Sequence, residues 1–130
     1  MATVLIIEDE APLLILAESV LKNAGYETLT AGSLTEAEAV IRSDKKIDAV
    51  ITDIILSDDR EGGLHVGQIV RRTAPDTPVL YTTGVQITDG MKALFVWPYA
   101  FLPKPYTDHQ LIEALATLLR RDPAHPDDKA

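Results

Sequence analysis

Two apolar runs in this chain close on acid: Val4-Leu5-Ile6-Ile7 leads into Glu8-Asp9-Glu10, and Ala49-Val50-Ile51-Thr52 leads into Asp53. Carboxylates gathered at neighbouring strand ends resist joint ionisation, because like charges in close contact raise one another's pKa. A hard divalent cation with oxygen ligands removes that conflict. Asp9 and Asp53 would bind it, with Glu8 close enough to reach it through water. A carboxylate so placed is also a competent acceptor for a phosphoryl group, provided a metal and a fixed cation offset the charge of the donor. Asp53 is the candidate acceptor. Lys104, at the end of the last apolar run, is the candidate ammonium, a point charge suited to a phosphate contact. A hydroxyl donor is offered by Thr82-Thr83 just before Gly84. Strand alternation sends the two threonines to opposite faces, and Thr83, beside the glycine, is expected at the strand mouth.

These side chains need a scaffold that brings several strand ends together. Apolar, β-branched runs near residues 3–8, 26–30, 48–52, 78–82 and 99–102 alternate with helical patterns. Such alternation predicts an α/β fold, a doubly wound five-stranded parallel sheet with five helices covering both faces and right-handed crossovers. Sheets of this kind build their sites at the carboxyl ends of the strands. The first helix should turn Leu13, Ala17, Val20, Leu21 and Ala24 inward, accept Pro12 in its first turn and stop at Gly25. Ser33-Leu34-Thr35-Glu36 reads as a capping box opening the second helix, with serine and glutamate each satisfying the other's end. Gly63 to Ala74 forms the third, ended by Pro75, and 88–97 carries the weakest helical pattern. Thr107-Asp108-His109-Gln110 caps a fifth helix with Leu111, Ile112, Leu115, Leu118 and Leu119 inward.

At 130 residues the chain makes one domain. Its 46% hydrophobic and 25% charged residues are an ordinary globular mix, and no apolar stretch approaches a membrane span. A net charge of −8 argues against direct nucleic-acid binding, which needs clustered Lys and Arg. Cysteine is absent and the amino terminus runs straight into a strand without a signal sequence, so a cytoplasmic location is expected. The domain is placed at residues 1–121. From Asp122 the chain turns to Pro, Asp, Lys and Ala without periodicity, so 122–130 is read as a disordered tail or linker stub.

Taken in order at successive strand ends, these residues resemble the receiver domain of bacterial two-component response regulators, over residues 3–121. Leu5-Ile6-Ile7-Glu8-Asp9-Glu10 resembles that family's acidic pocket, Asp53 its phospho-accepting aspartate and Thr83 its hydroxyl. Lys104-Pro105 is similar to its lysine and following proline, and Phe101 to its switch aromatic. The resemblance implies a flavodoxin-like sheet with strand order 2-1-3-4-5. It implies Mg²⁺ held by Asp9, Asp53 and the backbone carbonyl of Ile55, and a cis Lys104–Pro105 bond. Asp53 would take its phosphoryl group from a sensor histidine kinase or a histidine phosphotransfer protein. Phosphorylation would draw Thr83 inward, let Phe101 follow, and change contacts with a downstream protein target. The chain would be a monomer or a phosphorylation-dependent dimer, and not an enzyme beyond self-catalysed transfer and slow autodephosphorylation.

The chain departs from that family in two places. Ser57 stands where the family often has a proline, and Gly63 arrives late, which makes Ser57-Asp58-Asp59-Arg60-Glu61-Gly62 an unusual acidic loop that bears on metal binding or kinase docking. The stretch from Thr83 to Lys104 is slightly short, so the fourth helix is expected to be short or reshaped. Ile55 and Val85, aliphatic residues flanking the phosphoryl site in the family, neither orient nor admit an attacking water well, which predicts a long-lived phosphorylated form.

Simpler readings stand beside these. Glu10 reads as solvated or capping, Phe101 as core packing as readily as a switch, and His65, His109 and His125 as surface residues without zinc spacing. Phe95-Val96-Trp97-Pro98-Tyr99 is either core or a partner patch. A phosphatase with an aspartyl nucleophile would want an acid where Ile55 stands. A flavin module would want Ser, Thr and Gly where Glu8-Asp9-Glu10 stands. The remaining alternatives are a receiver-like interaction module that is not phosphorylated and the excised receiver of a hybrid histidine kinase.

Overall fold

Buried runs of Val, Ile and Leu make strands here because both of their faces are covered. The computed structural model describes residues 1–120. Its strands are β1 (Thr3–Ile7), β2 (Glu27–Ala31), β3 (Ala49–Asp53), β4 (Val79–Thr83) and β5 (Tyr99–Pro103), each within a residue or so of the runs read from sequence. They form one parallel sheet in the order β2-β1-β3-β4-β5. Every residue of β4 is buried, whereas β2 at the sheet edge buries only Ala31. The order in which strands are added reverses between β1 and β3, and the register sets Ile7 beside Thr52, Asp53 beside Thr82, and Thr83 beside Pro103. The acidic ends of β1 and β3 therefore open into the crevice where such a sheet binds ligands.

The helices are α1 (Ala11–Asn23), α2 (Leu34–Ile41), α3 (Gly62–Thr73), α4 (Asp89–Lys92) and α5 (Asp108–Leu119). One core layer joins Leu5, Ile7, Val50, Tyr81, Ala37, Leu64, Val66 and Val70 beneath α2 and α3. The other joins Val4, Ile6, Ile51 and Leu80 to Ala17 and Leu21 of α1 and to Leu111, Leu115 and Leu118 of α5. Gly25, at φ 99°, takes the left-handed turn that ends α1 and is open only to glycine at low cost. Thr107 and Gln110 close a reciprocal capping box on α5.

Two sequence expectations need correction. Leu13 of α1 and Ala24 just after its last residue are exposed, because the buried stripe runs through Ala17, Val20 and Leu21. The box on α2 is only half made: Ser33 Oγ accepts from the Glu36 amide at 3.1 Å, but the Glu36 carboxylate reaches the amide of Gly32 at 2.9 Å rather than that of Ser33. The fourth helix is short, as expected: the segment 88–97 yields a single turn, α4, with no fully buried residue.

Aromatic packing takes the place of a longer α4. Tyr81 is wholly buried in β4, stacks on Phe95 at 4.4 Å between centroids, and its hydroxyl accepts from the Val96 amide at 3.1 Å. Burial pushes its phenol up to about 12. Phe95 also stacks on Phe101 and meets Tyr99 edge to face, so most of the aromatic cluster packs inward rather than forming a free patch. Arg71 at the end of α3 fastens this region with hydrogen bonds to the carbonyls of Pro75 (2.6 Å), Thr77 (2.9 Å) and Pro98 (3.2 Å), and longer ones to those of Ala74 and Val96.

Candidate functional site

The structure gathers Glu8, Asp9, Asp53 and Lys104 at one place. Hydrogen bonds from the Glu8 amide to the Ala31 carbonyl and from the Ile54 amide to the Thr82 carbonyl prolong β1 and β3 past their acidic ends. The Lys104 amide bonds the Thr83 carbonyl at 2.9 Å, which aims the lysine back across the sheet. Its ammonium lies 2.6 Å from Glu8 Oε1 and 3.0 Å from Asp53 Oδ2. One carboxylate oxygen from each of Glu8, Asp9 and Asp53 falls within a span of 4.8 Å.

Charge does not balance in this cluster, since a single ammonium bridges two of three carboxylates. Burial raises the pKa of Glu8 above its ordinary value even against the opposing pull of Lys104 and the Glu10 amide. For Lys104 burial lowers the pKa, yet the hydrogen bonds its ammonium donates to Glu8 and Asp53, with their negative charge, win and its pKa is raised. A divalent cation beside Asp9 and Asp53 would relieve the excess negative charge, and an all-oxygen donor set is what hard cations take. The residues fit such an ion. Glu8, read from sequence as reaching it through water, is the most buried of the three and is the direct partner of Lys104.

Thr83 and Phe101 share a face. It is the face of the α3-side layer, against which Phe101 packs and into which Tyr81, two residues before Thr83, is buried; Thr83 is itself buried, and its Oγ1 accepts from the Val85 amide at 3.4 Å. Thr82 points to the other layer. Ile55 follows Asp53 with its side chain against the core, Val85 is exposed, and the Lys104–Pro105 bond is cis. Glu10 precedes α1 without capping it, His109 is exposed, His65 bonds Asp59 at 2.8 Å, and His125 lies outside the described residues, as does the 122–130 tail.

Sequence reasoning overlooked two residues. Tyr106, directly after Lys104-Pro105, is half-buried beside the cluster, and burial raises its phenol pKa. It helps line a groove of about 430 Å³ between α1 and the start of α5, with Leu13, Leu16, Ala17 and Val20 on one wall, Leu111 on the other, and Glu8 and Lys104 reaching it. Position next to the lysine was the available signal. Asp58 bonds the start of α2 rather than the carboxylate cluster, a contact between residues 24 apart that no local pattern announces.

A family model for the response regulator receiver domain matches residues 4–116. The phosphate regulon transcriptional regulatory protein PhoB of Pseudomonas aeruginosa is 31% identical over 122 residues, covering 92% of this chain and 52% of that protein. The nitrogen assimilation regulatory protein NtrX of Azorhizobium caulinodans is 31% identical over 125 residues, covering 92% of this chain and 27% of that protein. The chain thus spans about half the length of one of these relatives and about a quarter of the other. A response regulator receiver protein from Sinorhizobium medicae superposes with a TM-score of 0.83 at 33% identity, covering 91% of this chain and 94% of that chain. The receiver domain of the hybrid histidine kinase CckA gives 0.77 at 26% identity, covering 92% and 100%. Fold, sheet order, family model and relatives agree, and the chain belongs to the receiver domain family of two-component response regulators.

Proposed function

We propose that Asp53 accepts a phosphoryl group from a phosphohistidine on a sensor kinase or phosphotransfer protein, and that the resulting aspartyl phosphate alters contacts with a downstream protein. The observation that carries this reading is the Lys104 ammonium held between Glu8 and Asp53, with Asp9 alongside. In the transfer an Asp53 oxygen forms the new O–P bond as the donor N–P bond breaks, and the phosphohistidine ring, protonated on its other nitrogen, takes the N–P electron pair and leaves as neutral imidazole. Asp9, Asp53 and the Ile55 carbonyl would hold Mg²⁺, which when bound neutralises phosphoryl oxygens. Lys104 offsets the remaining charge, and Thr83 donates its hydroxyl to the product, drawing Phe101 after it.

The test is intact mass after incubation with Mg²⁺ and acetyl phosphate. The parent should gain one phosphoryl group and Asp53→Asn none; a parent that gains nothing sinks the proposal and leaves an unphosphorylated interaction module. Once donor is removed the added mass should persist for many minutes, because Ile55 and Val85 place no polar group to orient water. Loss within seconds would count against that part.

The apolar groove supports a docking site for the phosphohistidine protein, since it runs onto Glu8 and Lys104 and its α1 wall leaves Leu16 55% exposed. Leu16→Asp should slow transfer from a protein donor about tenfold more than transfer from acetyl phosphate, the size expected for a buried interface anchor. Equal slowing of both, measured with a panel of phosphorylated kinases, would place docking elsewhere. A receiver within a hybrid kinase would show the same chemistry, with its donor in the same polypeptide.

A further inference from the structure

The acidic loop after Asp53 is built as a clasp. The Leu56 amide bonds the Asp59 carbonyl at 3.0 Å and the Asp59 amide returns to the Leu56 carbonyl at 3.1 Å. The Gly63 amide closes the base onto the Ile54 carbonyl at 2.8 Å, and a Cβ at Gly63 would strike the Asp53 backbone. Leu56 is buried against Gly62. Ile55 is therefore fixed on both sides, by strand β3 before it and by the clasp after it.

The tip of the clasp is tied to a different element. Asp58 Oδ1 accepts from the Leu34 amide at 3.0 Å, and its Oδ2 accepts from the Thr35 amide at 3.3 Å and from the Thr35 hydroxyl at 3.4 Å. A helix begins with unpaired amides that something must satisfy. Here Ser33 serves the Glu36 amide, and the loop serves Leu34 and Thr35, so α2 has two caps from two parts of the chain. The Leu34 amide, the largest influence, holds the Asp58 carboxyl below its ordinary pKa. Meanwhile α2 is held by its own packing, with Ala37 and Ile41 in the core.

We propose that Asp58 is a positioning residue for the metal pocket: it anchors the loop carrying the Ile55 carbonyl to the fixed amino end of α2. The inference rests on the functional reading above. It makes α2 part of the apparatus that sets Mg²⁺ affinity, although none of its residues belongs to the carboxylate cluster.

Calorimetric titration with MgCl₂ at physiological salt tests this on the whole chain. Asp58→Ala should weaken Mg²⁺ binding about fivefold, the factor that loss of one helix cap corresponds to, and Asp58→Asn less, because it keeps an acceptor. The phosphorylation rate with acetyl phosphate should recover as Mg²⁺ is raised to saturation. Two controls isolate the anchor. Ser33→Ala removes the other cap of the same helix, and Glu61→Gln removes the same charge from the same loop; both should bind Mg²⁺ as the parent does. Asp58→Ala affinity equal to the parent's, or to that of either control, overturns the proposal. A parent that neither binds Mg²⁺ nor gains a phosphoryl group overturns the functional reading instead.

Discussion

Lys104→Met should slow phosphorylation of Asp53 by acetyl phosphate at least about a hundredfold, the usual cost of removing a preorganised charge from a polar transition state. Methionine keeps the length of the side chain and deletes its charge, leaving three clustered carboxylates without their ammonium. Glu8 then loses the pull of Lys104 and keeps only that of the Glu10 amide, so burial and Asp53 drive its pKa further up and it binds a proton more readily. Carboxyl NMR titration of Glu8 in parent and variant would read that rise directly. The sign for stability follows: a carboxyl with a raised folded pKa is better tolerated in acid, so the variant's deficit in Tm should shrink as pH falls, and also as Mg²⁺ is added. In the parent, Lys104 is stabilising while charged, and its contribution is lost only as pH climbs past the ordinary lysine value of about 10.4 and through its raised folded pKa. Transfer by Lys104→Met within tenfold of the parent would remove the ammonium from the mechanism.

Arg71→Met should lower the free energy of unfolding by about 3 kcal/mol, because it strands carbonyls that a single guanidinium now satisfies. The substitution retains the apolar stem, so the loss reports hydrogen bonds rather than packing. Those bonds link Pro75 and Thr77, before β4, to Val96 and Pro98, before β5. Lysine, a point charge with no planar fork, should restore only a minor part. Urea denaturation gives the energy, and amide exchange at Val96, which bonds Tyr81, gives the place where the structure loosens. A loss under about 1 kcal/mol would mean that water replaces the guanidinium at little cost.

Much of this was legible before the structure. Strand positions were, because a strand buried on both faces must be a β-branched run and the chain punctuates such runs with Gly, Pro and Asp. The gathering of Glu8, Asp9, Asp53 and Lys104 was, because these residues sit at ends of those runs, and parallel topology brings such ends together. What failed was local pattern set against tertiary demand. Leu13 matches the helical period, yet the buried stripe of α1 is narrow and the residue faces the groove. Glu36 is spaced to cap Ser33 and instead bonds Gly32, one residue earlier. The Asp58 contact with α2 and the reach of Arg71 to Val96 and Pro98 were illegible for a different reason, since those partners lie far along the chain and meet only after folding.

Helix α4 is one turn long and fully buries none of its residues, while Arg71 and Tyr81 pin the chain immediately after it. Local hydrogen bonds such as those from Lys92 to Thr88 and from Ala93 to Asp89 hold that turn with little buried surface to add to them, so a partner that orders it further must offset the ordering entropy itself. A covalent event that settles Thr83 and Val85 would discharge part of that entropy in advance. The signal at this face would then travel as a change in how many conformations the segment visits, with affinity rising although no new contact forms.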